Sequence, residues 1–329
     1  MLVDNHGREI NYMRLAVTDR CNLRCFYCMP ETGIKYINRS DLLTFEEMYR
    51  MIRVFGDLGV NKIRITGGEP FVRKGIMEFL DKVSRIDTID QINITTNGTF
   101  TEEYIPQLEQ MGIHSVNLSL DSLDKQRFFE ITRRDMYDQV MSTFHALLDS
   151  SIKVKINAVV MEGRNIDDIF PMIDLTKDKD VAVRFIEEMP FNGTEGQGNA
   201  TFWPLKKILD HIQSKYTVEK LQDPPSSTSK NFKVEGHKGS FGIIAAYTRT
   251  FCGTCNRIRI TPQGGLRTCL YAHDGISLRD IMRANTSDIA LADALKKAVG
   301  SRAKDGFEAE KNQRKDGAMV SESMATIGG

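Results

Sequence analysis

An excess of charge of either sign is missing from this chain. Its 44 lysines and arginines balance 44 aspartates and glutamates. No overall field therefore draws it to nucleic acid or to an anionic surface, and no nucleic-acid-binding module is evident. Any anion site must be local. Long apolar runs are also missing: nothing approaches the ~20 residues that a spanning helix needs. No basic segment followed by an apolar stretch opens the chain. A membrane partner is not expected, and a reducing, cytoplasmic setting is. Cysteine is scarce, at six in 329 residues. A chain of this length can bury a large core without a disulfide framework.

Those six cysteines stand in two tight trios with none left over. The first is Cys21-Asn22-Leu23-Arg24-Cys25-Phe26-Tyr27-Cys28, a C-x3-C-x2-C run behind the strand-like Arg14-Leu15-Ala16-Val17-Thr18. A closed structural zinc site takes four protein ligands, and iron–sulfur clusters are normally held by four cysteines. Three thiolates can hold three irons of a cubane and leave the fourth open to a small ligand. The second trio is C-x2-C-x13-C, formed by Cys252, Cys255 and Cys269. His273 follows four positions after Cys269, so a Cys3His zinc knuckle can also be drawn there.

Short β-branched runs alternate with helical patterns along the chain. Strands are predicted at Arg14–Thr18, Lys62–Thr66, Gln91–Thr95, Ser115–Asp121, Lys153–Met161 and Ala182–Met189. Thr44-Phe45-Glu46-Glu47 reads as a capping box that opens a helix ending near Gly59. Further helices are predicted over about Gly75–Ile86, Thr101–Met111, Asp138–Ser151 and Asn165–Lys177, and after Trp203. Such alternation means βαβ units and a parallel sheet, with ligands at the carboxyl ends of the strands. Six units are too few for a closed eightfold barrel, and a doubly wound open sheet is the alternative. Leu221–Phe232, rich in proline and serine, reads as a loop. Lys304–Thr326 is charged and poor in large apolar residues, so a mobile segment is expected.

Candidate site residues gather at the predicted strand ends. Gly67-Gly68-Glu69-Pro70 follows the second strand; by itself it reads as a turn in which glycines allow close backbone approach. Arg14, Arg64, Lys155 and Arg184 lie on or beside strands, with Lys62 nearby. Arg257 and Arg259 share a face if the segment is extended. Burying an unpaired charge is costly, so these residues either pair with local carboxylates or bind an anion.

The run Thr18 to Pro30 resembles the signature of the radical S-adenosylmethionine enzymes, and Gly67-Gly68-Glu69-Pro70 resembles their second motif. The resemblance implies an incomplete, three-quarter, six-unit TIM-like parallel β/α barrel over residues 1–220. An extension over residues 221–329 would carry a second cluster and a flexible Gly-Gly tail. It also implies a [4Fe-4S] cluster on Cys21, Cys25 and Cys28, and S-adenosylmethionine held by Tyr27, Gly68, Ser119 and Met189.

The second trio with Arg257-Ile258-Arg259, and the terminal Ile327-Gly328-Gly329, resemble the branch of that family that opens molybdenum cofactor biosynthesis. That likeness implies a lyase acting on GTP, with a second [4Fe-4S] cluster on Cys252, Cys255 and Cys269. The substrate contacts implied are Arg14, Arg64, Thr95, Lys155, Arg184, Arg257, Ile258 and Arg259. Catalytic roles fall on Arg14, Arg257, Arg259, Gly328 and Gly329. The partners implied are an external electron donor and a downstream pterin-forming enzyme, and the likeness is compatible with a homodimer. A peptide-modifying relative with an auxiliary cluster, an iron–sulfur electron carrier and a zinc-stabilised binding module are the alternatives.

Overall fold

The computed structural model describes residues 1–29, 33–189, 202–272, 275–284, 287–315 and 324–327. The elements are β1 (Tyr12–Ala16), α1 (Phe45–Asp57), β2 (Lys62–Thr66), α2 (Ile76–Ser84), β3 (Gln91–Thr96), α3 (Ile105–Gln110), β4 (Ser115–Ser119), α4 (Lys125–Thr132), α5 (Tyr137–Leu148), β5 (Lys153–Val160), α6 (Ile169–Asp174) and β6 (Ala182–Glu187). After these come α7 (Leu205–Gln213), β7 (Val218–Lys220), β8 (Ser229–Val234), β9 (Ser240–Ile244), β10 (Arg257–Ile260), β11 (Gly265–Arg267), β12 (Ile276–Ser277), α8 (Leu278–Arg283), α9 (Asp288–Val299), α10 (Gly306–Lys315) and α11 (Met324–Ile327).

The strands make one sheet in the order β12-β11-β10-β1-β2-β3-β4-β5-β6-β9-β8-β7. Its centre, from β10 through β1–β6 to β9, is parallel throughout. The flanks are antiparallel. The six-unit core is therefore extended on both sides by C-terminal strands, β9 beside β6 and β10 beside β1. The sheet stays open, since its outermost strands, β12 and β7, do not pair with each other.

A parallel sheet covered on both faces reads as nearly continuous apolar strands. These strands alternate instead. On β5 every second residue is buried: Val154, Ile156, Ala158 and Val160 face the helices. Ile63, Ile65, Ile94, Val116, Leu118, Val183 and Phe185 join the same core. The other face carries Arg14, Arg64, Lys155 and Arg184, so it borders a polar interior. Truncating a buried phenylalanine such as Phe55 or Phe144 to alanine would cost about 3–5 kcal/mol.

The capping box is present: Glu47 N–H donates to Thr44 Oγ1 at 3.1 Å, and Thr44 N–H donates to the Glu47 carboxylate at 2.8 Å. Helices α8 and α9 lie beyond the last helix expected, and three further features depart from the sequence reading. Helix α4 was not expected; Asp124 caps it by accepting from Arg127 N–H at 2.8 Å. The loop assigned to Leu221–Phe232 ends in a strand, because residues from Ser229 pair with β9. The mobile segment assigned to Lys304–Thr326 contains α10, anchored by an Arg249–Glu310 ion pair of 2.6 Å and by buried Ala309.

Candidate functional site

The first cysteine trio lies in the loop after β1, and the loops after β2 to β5 converge on it. Gly68 N–H donates to Thr18 O and Glu69 N–H to Arg20 O, both at 2.8 Å. A Cβ on Gly68 would stand 2.2 Å from Arg20 O, so this glycine is required for one loop to lie on the other. The fully buried Glu69 carboxylate accepts from Asn97 N–H at 2.7 Å, Thr96 Oγ1 at 2.9 Å and Phe71 N–H at 3.1 Å. Burial pushes its pKa to about 7 despite these donors. Asn97 Nδ2 in turn lies 3.6 Å from Cys21 Sγ.

Tyr27 donates its hydroxyl to Asp121 at 2.7 Å, and the other oxygen of Asp121 accepts from Val159 N–H at 2.8 Å. Burial raises Asp121 to about 6. Burial, with Glu69 and Cys28 nearby, pushes the Cys21 thiol to about 12 and lifts Cys25 as well.

A second feature is a cavity of about 360 Å³ on the polar face of the sheet. Ten cations line it: Arg8, Arg14, Lys62, Arg64, Lys155, Arg184, Arg257, Arg259, Arg302 and Lys304. Asp305 is the one carboxylate among its described lining residues. Register builds the cluster, since Arg14 is the Cα partner of Arg64 on one side and of Arg259 on the other.

Crowding shows in the titrations. Burial and then Arg184, Arg64 and Lys62 bring Lys155 down to about 7. Burial lowers Arg184 and Arg259 to about 10, and it depresses Arg14 strongly with Arg259 contributing. Burial opposes ionisation of Tyr12, yet Arg64 and Arg14 pull its phenol down to about 8. Several buried polar atoms of the wall have no hydrogen-bond partner among the described residues: Arg184 Nε, Arg257 Nε and Nη2, and the side-chain oxygens of Asn117 and Asn157. Donors and cations aimed into one cavity suit a ligand with several negative charges.

Cys252, Cys255 and Cys269 form part of that cavity's wall. Burial raises Cys269 to about 11, whereas Arg257 and Arg302 overcome burial at Cys255 and lower it to about 7. All six cysteines are free thiols. Within each trio the thiols are close enough to affect one another's ionisation. Among the described residues no three His, Cys, Asp or Glu side chains converge on a single metal ion. Three interacting thiols in each trio are the kind of donor that an iron–sulfur cluster takes from a protein.

The structure therefore brings together most of the sequence candidates. Arg14, Arg64, Lys155, Arg184, Arg257, Arg259, Met189 and the second trio share the cavity, with Lys62 beside them. Tyr27 and Gly68 lie with the first trio, and Ser119 ends β4. Thr95 stands outside the lining and accepts from Arg64 at 3.4 Å. Ile258 faces the other way, fully buried in the apolar core. His273, Gly328 and Gly329 lie outside the described residues. Sequence reasoning missed Arg8, Tyr12, Asn117, Asn157, Arg302 and Lys304. Alternation with Arg14 would have placed Tyr12 on the cavity face; Arg8 and Arg302 reach the site from the two ends of the chain without a local signal.

Residues 15–176 match the family model of the Radical SAM superfamily, and residues 181–307 match that of Molybdenum Cofactor Synthesis C. The "Molybdenum cofactor biosynthesis protein moc-5" of Caenorhabditis elegans is 39% identical over 91% of this chain and 50% of its own length. The "GTP 3',8-cyclase, mitochondrial" of Arabidopsis thaliana is 39% identical over 91% of this chain and 77% of that protein. The "GTP 3',8-cyclase" of Clostridium perfringens (strain 13 / Type A) is 38% identical over 90% of this chain and 91% of that protein. The chain spans about half the length of the first of these relatives. The solved structure of Streptococcus suis SuiB bound to precursor peptide SuiA shares the fold, with a TM-score of 0.61, 15% identity, and coverage of 97% of this chain and 76% of that one.

The chain belongs to the radical S-adenosylmethionine superfamily and, within it, to the family of the molybdenum cofactor biosynthesis proteins that includes the GTP 3',8-cyclases. Membership of the superfamily implies a [4Fe-4S] cluster and S-adenosylmethionine. No helix among the described residues is long and apolar enough to cross a membrane.

Proposed function

We propose that the chain is a lyase that converts GTP to (8S)-3′,8-cyclo-7,8-dihydroguanosine 5′-triphosphate, the first step of molybdenum cofactor biosynthesis. One observation carries the reading. A net-neutral chain gathers ten cations around a single cavity that has a cysteine trio in its wall. Mutual repulsion there is the kind that a triphosphate relieves, and charge-assisted contacts to phosphate contribute about 1.5–3 kcal/mol each.

In this reading Cys21, Cys25 and Cys28 hold the first cluster, and Tyr27, Gly68, Ser119 and Met189 hold S-adenosylmethionine. When bound, these groups supply the radical chemistry by which hydrogen leaves the ribose 3′ carbon and that carbon closes onto carbon 8 of guanine, with an external donor providing reduction. Arg14, Arg64, Lys155, Arg184, Arg257 and Arg259 anchor the triphosphate and fix the ribose with respect to the strand ends. Thr95 supports Arg64 from behind. Cys252, Cys255 and Cys269 hold a second [4Fe-4S] cluster at the guanine end, with Ile258 supporting the strand that carries the two arginines.

Fixed geometry and exclusion of water are the protein's contribution, since a radical must meet one hydrogen and no other. Residues 1–220 supply the radical-generating part and residues 221–329 the second centre. Gly328 and Gly329 keep in this reading the catalytic role that the resemblance implies. A cytoplasmic setting, a homodimer and a downstream pterin-forming enzyme complete the proposal.

The test is anaerobic incubation of reconstituted protein with GTP, S-adenosylmethionine and reductant. Formation of 5′-deoxyadenosine together with cyclised nucleotide is expected. Cleavage of S-adenosylmethionine that GTP neither stimulates nor converts to product would assign the cavity to another substrate.

A further inference from the structure

The N-terminal residues fold back on themselves through an antiparallel bridge between Val3 and Glu9, and this places Asp4 beneath the second cysteine trio. The Asp4 side chain is wholly shielded and pairs with two arginines, Arg8 at 2.6 Å and Arg302 at 3.5 Å. Each arginine then grips the Cys252–Cys255 turn. Arg8 donates to Cys252 O at 3.2 Å and to Lys304 O at 2.6 Å. Arg302 donates to Cys255 O at 2.8 Å and to Arg257 O at 3.0 Å. It also donates through Nη2 to Cys255 Sγ at 3.1 Å. Arg302 is only 3% exposed.

A guanidinium kept this dry with one shared carboxylate is costly unless a further negative group faces it. The Cys255 sulfur is that group when it is a thiolate. The first trio is built differently: Cys21 Sγ receives the neutral amide of Asn97 at 3.6 Å.

We propose that Arg302 is a positioning residue of the second centre, which caps the Cys255 thiolate with a charged hydrogen bond while Asp4 holds it in place. The inference rests on the proposal that Cys252, Cys255 and Cys269 hold a [4Fe-4S] cluster. Hydrogen bonds to ligand sulfur and nearby positive charge both favour the reduced cluster. Arg302 therefore favours reduction of the second centre. Because Arg302 also touches Arg257 O, it fixes the start of the strand that carries the cavity arginines.

The test uses the full chain with Cys21, Cys25 and Cys28 changed to alanine, reconstituted anaerobically so that the second trio alone holds a cluster. About four irons per chain sustains the underlying reading; an iron-free chain removes that reading, and this proposal with it, before Arg302 is changed. In the iron-loaded protein, Arg302→Met is expected to move the midpoint potential to more negative values and to alter the electron paramagnetic resonance spectrum of the reduced cluster. Arg302→Lys should recover part of the shift. Asp4→Asn leaves Arg302 present but unanchored and should shift the potential the same way by less. Where Arg302→Met does not retain iron, Asp4→Asn decides alone. An unchanged potential and spectrum in the iron-loaded variants would overturn the proposal and leave Arg302 as a structural ion pair.

Discussion

Arg14 and Arg259, far apart in the chain, are Cα partners across the parallel β1–β10 pair. Arg259 adds to the burial that depresses Arg14. The first strand and the strand behind the second trio thus present one continuous cationic surface.

Removing a single cation from that surface should weaken the ligand without harming the metal centres. Arg257→Ala or Arg259→Ala is expected to lower GTP affinity roughly tenfold or more, as loss of a charge-assisted phosphate contact implies. Anaerobic calorimetry measures the affinity and iron analysis the clusters. Parental affinity in both variants would take these arginines out of the site.

Lys155 makes binding dependent on pH. Its pKa is about 7, lowered by burial and by neighbouring cations. Phosphate favours the charged form, so above pH 7 GTP binding must be accompanied by proton uptake, and affinity should fall as pH rises. Lys155→Met should flatten that slope, leaving the part that Tyr12 contributes near pH 8. The same depression acts on stability. Between about pH 7 and the ordinary lysine value of 10.5 the unfolded chain holds the extra proton, so this group makes nucleotide-free stability rise with pH. Denaturant titrations across that window should show a shallower rise for Lys155→Met.

Gly68→Ala tests how the two loops at the first trio meet. Its Cβ would need to occupy space 2.2 Å from Arg20 O, and backbone on both sides leaves no flexible group to yield. Loss of iron from the first centre is expected, with the second centre kept. Full iron content would show that the loops can separate freely.

Two cubanes require about eight irons per chain. Replacing Cys252, Cys255 and Cys269 by alanine should halve that figure, and His273→Ala should leave it unchanged. Bound zinc that persists without Cys21, Cys25 and Cys28 would instead favour a zinc knuckle at the second trio.

Deleting Gly328 and Gly329 should leave melting temperature and iron content at parental values while cyclised nucleotide is lost. Residues whose role is in the reaction alone leave folding unchanged when removed. Parental product formation by the truncated chain would show these glycines to be frayed ends.

Whatever depends on short spacing was legible in the sequence alone. The first trio, the glycine pair and the capping box at Thr44 are local patterns, and strand β2 lies over Lys62–Thr66 as the period predicted. Arg64, Lys155 and Arg184 were visible on β2, β5 and β6 as candidate site residues, but that they share one polar face was decided by the fold. Tertiary pairing decided the rest. Pro224 and Pro225 made their segment read as a loop, yet Ser229–Val234 becomes a strand because β9 offers it an edge. That edge exists only because β9 itself lies against β6. Likewise Asp4, Arg302 and Cys255 lie far apart in the chain and share no periodicity, so only the folded sheet makes them neighbours. Local geometry follows from nearby residues, whereas a charge buried beside a sulfur is chosen by the three-dimensional surroundings that exclude water from both.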